Sequence, residues 1–255
     1  MNLSRLIHTG SGISFAMFLS IAISATGCAT GTRGHETATD SVHHHGATGA
    51  AAGGHGHDAP SVSPEQALQK LVAGNARYVS GRLEHPDQTV ARREEVAKSQ
   101  HPFAIVLSCS DSRVPPEIVF DTGLGDLFVV RIAGNTADDA VIGSIEYAIE
   151  HLGATLVVVL GHERCGAVKA TVDTASSTAP APGHLAALLD PIRPAVKAVE
   201  GRSGDLLDNA VRENVARVVG QLKQSKPVLA ERVAAGKLQV VGGRYDLDTG
   251  IVELK

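Results

Sequence analysis

The spacing of apolar residues after position 62 alternates between a helical period and short continuous runs. The first helical pattern predicts an amphipathic helix over 64–80, since its apolar residues recur on one face: Leu68, Leu71, Val72 and Tyr78. Ser63 stands before this segment as a candidate N-cap, and Gln66 follows three residues later. This pattern is typical of a capping box, so we expect the folded part of the chain to begin here.

Three short apolar runs have no polar alternation, which predicts strands buried on both faces: 103–108, 127–133 and 155–162. Helical patterns separate or follow them, at 88–99, 137–153, directly after 162, 184–199, 205–223 and 227–235. Residues 171–183 read as a loop, and 237–254 read as a strand, a turn and an edge strand. This alternation predicts an α/β fold in which a central, mostly parallel sheet is flanked by helices.

The first 61 residues differ from the rest in composition. Ile13–Ala25 is apolar over 13 residues, shorter than the roughly 20 residues that span a bilayer and typical of a signal-peptide core. "ATGC" follows and resembles a bacterial lipobox, although Ala25 stands where Leu is usual. We expect a signal peptide over 1–27, lipid attachment at Cys28 as the mature N-terminus, and a periplasmic or cell-envelope location. A cleaved soluble product and an uncleaved anchor are the alternatives.

Residues 28–61 are dominated by small residues and hold six of the twelve histidines: His35, His43, His44, His45, His55 and His57. The segment has almost nothing to bury, which predicts a disordered linker. Neutral imidazole is also a zinc ligand, so weak zinc capture by the linker is an alternative to a simple tether. Residues 62–255 then form the predicted folded domain.

The charge and the cysteine content limit the functions that the chain can have. With 23 basic and 27 acidic residues and no basic run, the chain shows no nucleic-acid-binding face. If Cys28 is lipidated, Cys109 and Cys165 remain. In an oxidising compartment these two residues could form a disulfide, or a metal could hold both as thiolates.

Unusual polar residues follow two of the predicted strands. "SCSDSR" ends the first strand and "GHERCGAV" ends the third, which offers Cys109, His162 and Cys165. Ligands gather at the carboxyl ends of parallel strands, and two thiolates with one imidazole suit a zinc ion that keeps a fourth position open. Asp111 is the nearby candidate for that position. Taken singly, each Cys could be a small core residue and the His a hydrogen-bonded one.

"CSDSRVPPE" (109–117) and "GHERCGAVKA" (161–170) together resemble the β-class carbonic anhydrases, and the likeness extends over most of 63–254. The resemblance implies that Cys109, His162 and Cys165 bind zinc. It implies a homodimer or a larger even oligomer, whose N-terminal helices extend toward the partner and whose pocket forms across the dimer. The reaction implied is the reversible hydration of CO₂ to bicarbonate and a proton by a zinc lyase.

The resemblance also gives roles to Asp111 and Arg113 as a catalytic dyad. A bidentate Arg113 contact keeps Asp111 ionised, and the carboxylate then orients a zinc-bound hydroxide. Without that contact, Asp111 swings onto zinc as the conditional fourth ligand of a closed state. An ordinary structural ion pair is the alternative.

The resemblance also implies a substrate pocket. At the distances from the two motifs where the family has its pocket residues, this chain has Gln100, Phe128, Tyr147 and Gly166. Core packing for the aromatic residues and a loop position for Gln100 are the alternatives. A second branch of the family binds regulatory bicarbonate through a Trp, where this chain has Val106. Arg131 and Tyr245 match other parts of that site, but the resemblance does not extend to a complete one.

Two other functions fit the same sequence. One is the conversion of CS₂ or COS by the same zinc site, which the motifs do not distinguish from CO₂ hydration. The other is a zinc-binding lipoprotein, which the His-rich linker suggests.

Overall fold

The computed structural model describes residues 62–177, 179 and 181–255. The signal peptide predicted over 1–27, the lipidation site Cys28 and the linker over 28–61 lie outside the described residues. Within the part that is described, no helix is both long enough and apolar enough to cross a membrane.

The described residues form a five-stranded sheet with helices around it. Its strands are β1 (Ala104–Ser108), β2 (Leu127–Arg131), β3 (Leu156–His162), β4 (Gln239–Tyr245) and β5 (Val252–Leu254). The helices are α1 (Pro64–Val79), α2 (Val90–Val96), α3 (Pro116–Val119), α4 (Asp139–Leu152), α5 (Gly166–Asp173), α6 (Leu185–Leu189), α7 (Arg193–Val199), α8 (Leu206–Gln224) and α9 (Val228–Ala234). The strand order is β2-β1-β3-β4-β5, and only β5 is antiparallel to its neighbour. The predicted fold class is confirmed.

Several predicted boundaries were wrong for reasons of local chemistry. The single helix expected over 184–199 is two helices, α6 and α7. Pro191 lies between them, and a proline has no N–H with which to continue the helical hydrogen bonds. The loop expected over 171–183 starts late, because α5 continues to Asp173. The short helix α3 was not predicted.

Strand β2 was predicted to be buried on both faces, and this was wrong for the single chain. β1 and β3 are buried throughout, whereas four residues of β2 are half-buried and Arg131 is exposed. The reason is that β2 lies at the edge of the sheet. A continuous apolar run does not distinguish a central strand from an edge strand, and an edge strand leaves backbone donors and acceptors unpaired.

Helix α1 begins with the predicted capping box, in which Ser63 accepts from the amide of Gln66 and the Gln66 side chain accepts from Ser63. The helix packs Ala67 and Leu71, both fully buried, against the core of its own chain. At Gly74 the helix lies directly against the backbone carbonyl of Phe120. Extension of α1 toward a dimer partner stays a prediction.

We expect Gly74→Ala to destabilise the fold, because the added Cβ would lie 1.8 Å from the Phe120 carbonyl oxygen, which is backbone and cannot turn away. Overpacking of this kind costs about 3 kcal/mol in the free energy of unfolding. Gly220→Ala in α8 is the matched control, since its Cβ meets nothing within 4 Å and the change should stabilise the helix by about 0.5–1 kcal/mol. Denaturant unfolding of both variants tests this, and equal stabilities would contradict the close packing of α1.

Candidate metal centre

Three sulfur and nitrogen ligands meet at the carboxyl end of the sheet. Cys109 follows β1, His162 ends β3 and Cys165 is the N-cap of α5. β1 and β3 are adjacent and parallel, so their last residues lie side by side. The three ligand atoms lie within 4.8 Å of one another, and all three side chains are buried.

The two thiols are free, with their Sγ atoms 3.9 Å apart. A disulfide would need about 2.05 Å. Two sulfurs that each lie about 2.3 Å from a tetrahedral zinc ion would be separated by about 3.8 Å. The separation therefore fits a shared metal ion better than a sulfur–sulfur bond.

The thiols differ in acidity because they are hydrogen-bonded to each other. The pKa of Cys109 is lowered to about 4, chiefly because the Cys165 thiol donates to its sulfur. The same contact raises the pKa of Cys165 above its ordinary value. The Gly134 amide also donates to the Cys109 sulfur, at 3.4 Å. A bound cation would favour the thiolate form of both residues, because metals bind cysteine as the thiolate.

His162 is oriented so that one ring nitrogen faces the two sulfurs. Its Nδ1 lies 2.8 Å from the Glu163 carbonyl oxygen, which can only accept, so Nδ1 carries the proton and Nε2 carries the lone pair. Nε2 is buried and has no hydrogen-bond partner in the described part of the chain. A buried imidazole nitrogen is rarely left without a partner, and a metal-ligating His usually donates its other nitrogen to a carbonyl in this way. The donor set therefore fits zinc.

Asp111 and Arg113 are paired beside these ligands. Arg113 donates from Nε to Asp111 Oδ1 at 2.9 Å and from Nη2 to Oδ2 at 2.7 Å. These hydrogen bonds hold the pKa of Asp111 well below its usual range. Oδ2 lies 3.8 Å from the free Nε2 of His162, so the ionised carboxylate borders the space that the three ligands face.

The turn between β4 and β5 supports the segment that joins His162, at the end of β3, to Cys165. Arg164 has a positive φ of 52° and makes a bidentate contact with Asp248, at 2.9 and 2.7 Å. Glu163 accepts from the amide of Leu247 at 3.2 Å. The sequence did not predict these supporting contacts, because they join segments more than 80 residues apart.

The predicted pocket residues do not all lie at the metal centre of their own chain. Phe128 and Tyr147 are in contact, with ring centroids 6.4 Å apart, and Gly166 adjoins Cys165 at the start of α5. Gln100 precedes β1, whereas Cys109 follows that five-residue strand. A strand of that length spans about 16 Å. Phe128 is likewise near the amino end of β2.

The residues matched to the regulatory bicarbonate site have other contacts. Val106 is buried in the core, and the hydroxyl of Tyr245 lies 3.0 Å from that of Tyr78. Arg131 donates to the backbone carbonyls of Cys109 and Asp111. The sequence did not predict this contact of Arg131 with the turn that follows β1.

The chain is similar to known carbonic anhydrases. The family model described as carbonic anhydrase matches residues 104–252. A carbonic anhydrase of Mycolicibacterium smegmatis is 42% identical over 198 residues, which cover 77% of this chain and 95% of that protein. Carbonic anhydrase 2 of Mycobacterium tuberculosis is 41% identical with the same coverage.

Solved structures are also similar. Those of two tetrameric β-carbonic anhydrases from Sordaria macrospora match with a TM-score of 0.57 and 25% identity, covering 74% of this chain and 95% of theirs. The β-carbonic anhydrase CafA of Aspergillus fumigatus matches with a TM-score of 0.56 and 30% identity, covering 74% and 90%.

Proposed function

We propose that this chain, which belongs to the β-class carbonic anhydrase family and is therefore a lyase that hydrates CO₂, uses one zinc ion. The residues that would hold the ion are Cys109, His162 and Cys165. The observation that carries this proposal is the buried Nε2 of His162, which has no hydrogen-bond partner among the described residues. It faces two sulfurs whose 3.9 Å separation suits a shared tetrahedral ion. CO₂ is the substrate and bicarbonate the product.

Each residue then has a defined task. The two thiolates and Nε2 hold zinc, whose chemistry when bound is to lower the pKa of a water at its open position to about 7. Asp111, as an ionised carboxylate beside these ligands, would accept a hydrogen bond from the attacking water and so turn a water lone pair toward CO₂. Arg113 keeps Asp111 ionised and away from the open position through its two hydrogen bonds. The pair is thus a catalytic dyad and a gate on that position.

Metal analysis together with a stopped-flow CO₂ hydration assay tests the proposal. We expect about one zinc per chain, loss of activity on chelation and recovery with added zinc. A variant without residues 29–61 should retain both the zinc and the rate, which would exclude the His-rich linker as the site. Assays with CS₂ and COS on the same preparation measure the alternative substrates. Full activity without metal would contradict the zinc mechanism.

We also propose that two copies associate through the β2 edges. The strand is apolar and half-buried in the single chain, and Tyr147 beside it is 50% exposed. Antiparallel association at this edge would bring the amino end of one β2 next to the carboxyl end of the other. Gln100, Phe128 and Tyr147 of one copy would then line the pocket above the zinc of its partner. The tetrameric relatives from Sordaria macrospora are consistent with assembly.

Complementation between inactive variants tests the shared pocket. Cys109→Ser removes a zinc ligand, and Gln100→Ala removes a pocket residue. If the pocket is shared, a mixed dimer has one site with both defects and one intact site. Refolding an equal mixture should therefore restore about a quarter of the wild-type activity, since half of the dimers in a twofold-symmetric assembly are mixed. Cys109→Ser mixed with Cys165→Ser is the control and should restore none. No recovery in the first mixture would contradict the shared pocket.

We further propose that the protein is exported and lipid-anchored at Cys28 in the cell envelope. The apolar segment Ile13–Ala25 followed by a Cys supports this. Labelling with a radioactive fatty acid should mark the wild type, whereas Cys28→Ser should carry no label and leave the membrane fraction. Equal labelling of both would contradict the anchor.

A further inference from the structure

Arg131 ends the edge strand β2 next to the metal centre. It pairs in register with Ser108, the last residue of β1, so its side chain begins beside Cys109. Its Nε donates to the Cys109 carbonyl at 3.0 Å, and its Nη2 donates to the Asp111 carbonyl at 2.6 Å. One rigid guanidinium thus holds two backbone carbonyls that are two residues apart.

We propose that Arg131 is a positioning residue that fixes the turn 109–113, and with it both a zinc ligand and the dyad, against the sheet. The proposal rests on the zinc and dyad mechanism given above. The residues of this turn that carry the chemistry are Cys109, Asp111 and Arg113.

Most of the other hydrogen bonds of the turn 109–113 are made within the turn itself. The Arg113 contacts with Asp111 join residues of the same turn. The amide of Val114 likewise donates to the Asp111 carbonyl. These local bonds give the turn its shape, but they do not determine where the turn lies relative to the neighbouring strand. The two hydrogen bonds from the Arg131 guanidinium cross from β2 to the turn, so they fix the position of the turn relative to that strand.

The segment that begins at Arg131 holds Cys109 at a second point. The Gly134 amide donates to the Cys109 sulfur at 3.4 Å. Gly134 has a φ of +77°, and a Cβ there would lie 2.6 Å from Ile192. The backbone and the sulfur of Cys109 are therefore both contacted from the segment that ends β2.

The chemistry of arginine explains why this residue suits the position. Its planar fork presents two donors in a fixed geometry, whereas a lysine ammonium is a single point on a flexible stem. A lysine keeps the charge but cannot hold both carbonyls in the same way. Loss of the fork should loosen the turn without removing a ligand, which affects the chemical step more than substrate binding.

Two variants separate these effects. Arg131→Met removes all donors and the charge, and Arg131→Lys keeps the charge. We expect Arg131→Met to bind one zinc per chain but to show a kcat about 10-fold lower with KM nearly unchanged, and zinc release to a chelator about 10-fold faster, at the low end of effects from outer contacts of metal ligands. Arg131→Lys should lie between Arg131→Met and the wild type. In the metal-free protein, amide hydrogen exchange over 109–114 should be faster in Arg131→Met.

Arg232→Met is the matched control, because Arg232 also makes two guanidinium hydrogen bonds, but to Glu150 on α4. It should leave kcat, zinc release and exchange over 109–114 unchanged. Oligomer size is measured for all variants, so that loss of assembly is not mistaken for loss of positioning. Wild-type values of all three readouts in Arg131→Met would overturn the proposal. If Arg131→Met does not fold, wild-type values of the three readouts in Arg131→Lys would overturn the proposal. Failure of the zinc mechanism itself would instead appear in the wild-type protein, as activity without metal.

Discussion

Cys109→Ser should lose bound zinc and CO₂ hydration together. A serine hydroxyl does not ionise near neutral pH, so the variant would offer one thiolate and one imidazole in place of the three-ligand set. The site is buried, and water cannot easily supply the missing donor. We expect activity to fall by more than about 100-fold, the upper range for loss of contacts outside the ligand shell.

Zinc content by atomic absorption and stopped-flow hydration assays check this prediction on one preparation. Ser110→Ala is the control, since Ser110 is the exposed neighbour of Cys109 and should leave zinc and rate unchanged. A zinc-loaded, active Cys109→Ser protein would refute the ligand assignment.

Arg113→Ala should remove most of the activity while zinc stays bound. The guanidinium makes both side-chain contacts that hold Asp111 in place, and it keeps the pKa of Asp111 low. Without it, Asp111 would be free to turn toward the three ligands, since its Oδ2 lies 3.8 Å from Nε2 of His162. There it would take the place of water on a bound zinc ion. Loss of one preorganised polar group at a reaction centre costs about 100-fold or more in kcat.

The comparison for this second prediction is a pair of variants. Asp111→Asn keeps the shape of the side chain but removes its charge, and we expect it to be impaired as well, with zinc retained. Arg193→Ala removes an arginine that pairs with exposed Asp190, and it should have the wild-type rate. Full activity of Arg113→Ala would mean that the dyad has no catalytic part.

Local patterns in the sequence predicted much of the fold because their causes are local. The capping box at Ser63 depends on residues three apart, and the structure contains it. Helix α4 ends at Gly153, which adopts the left-handed conformation that glycine favours. The helix expected over 184–199 failed at Pro191, where the apolar period continued across a residue that lacks the N–H a helix needs.

Long-range pairing was beyond these patterns. Strand β2 has the composition of a central strand, but its place at the edge depends on the order of strands in the sheet. Arg131 resembled part of a regulatory site in the sequence, whereas its observed partners are the carbonyls of Cys109 and Asp111. Gln100 and Cys109 are close in sequence, yet β1 separates them.

The sequence by itself determined which chemistry this protein can perform. The two cysteines and the histidine at the strand ends provide soft metal ligands, and the Asp-x-Arg motif provides a charged pair. The chemistry of these side chains does not depend on how the chain packs. Only the tertiary structure decided how these groups are arranged. The two thiols lie 3.9 Å apart, Nε2 of His162 has no partner among the described residues, and Arg131 donates to two carbonyls of the adjoining turn. The physical reason is that side-chain identity is set residue by residue, whereas distances between strand ends depend on the packing of the whole sheet.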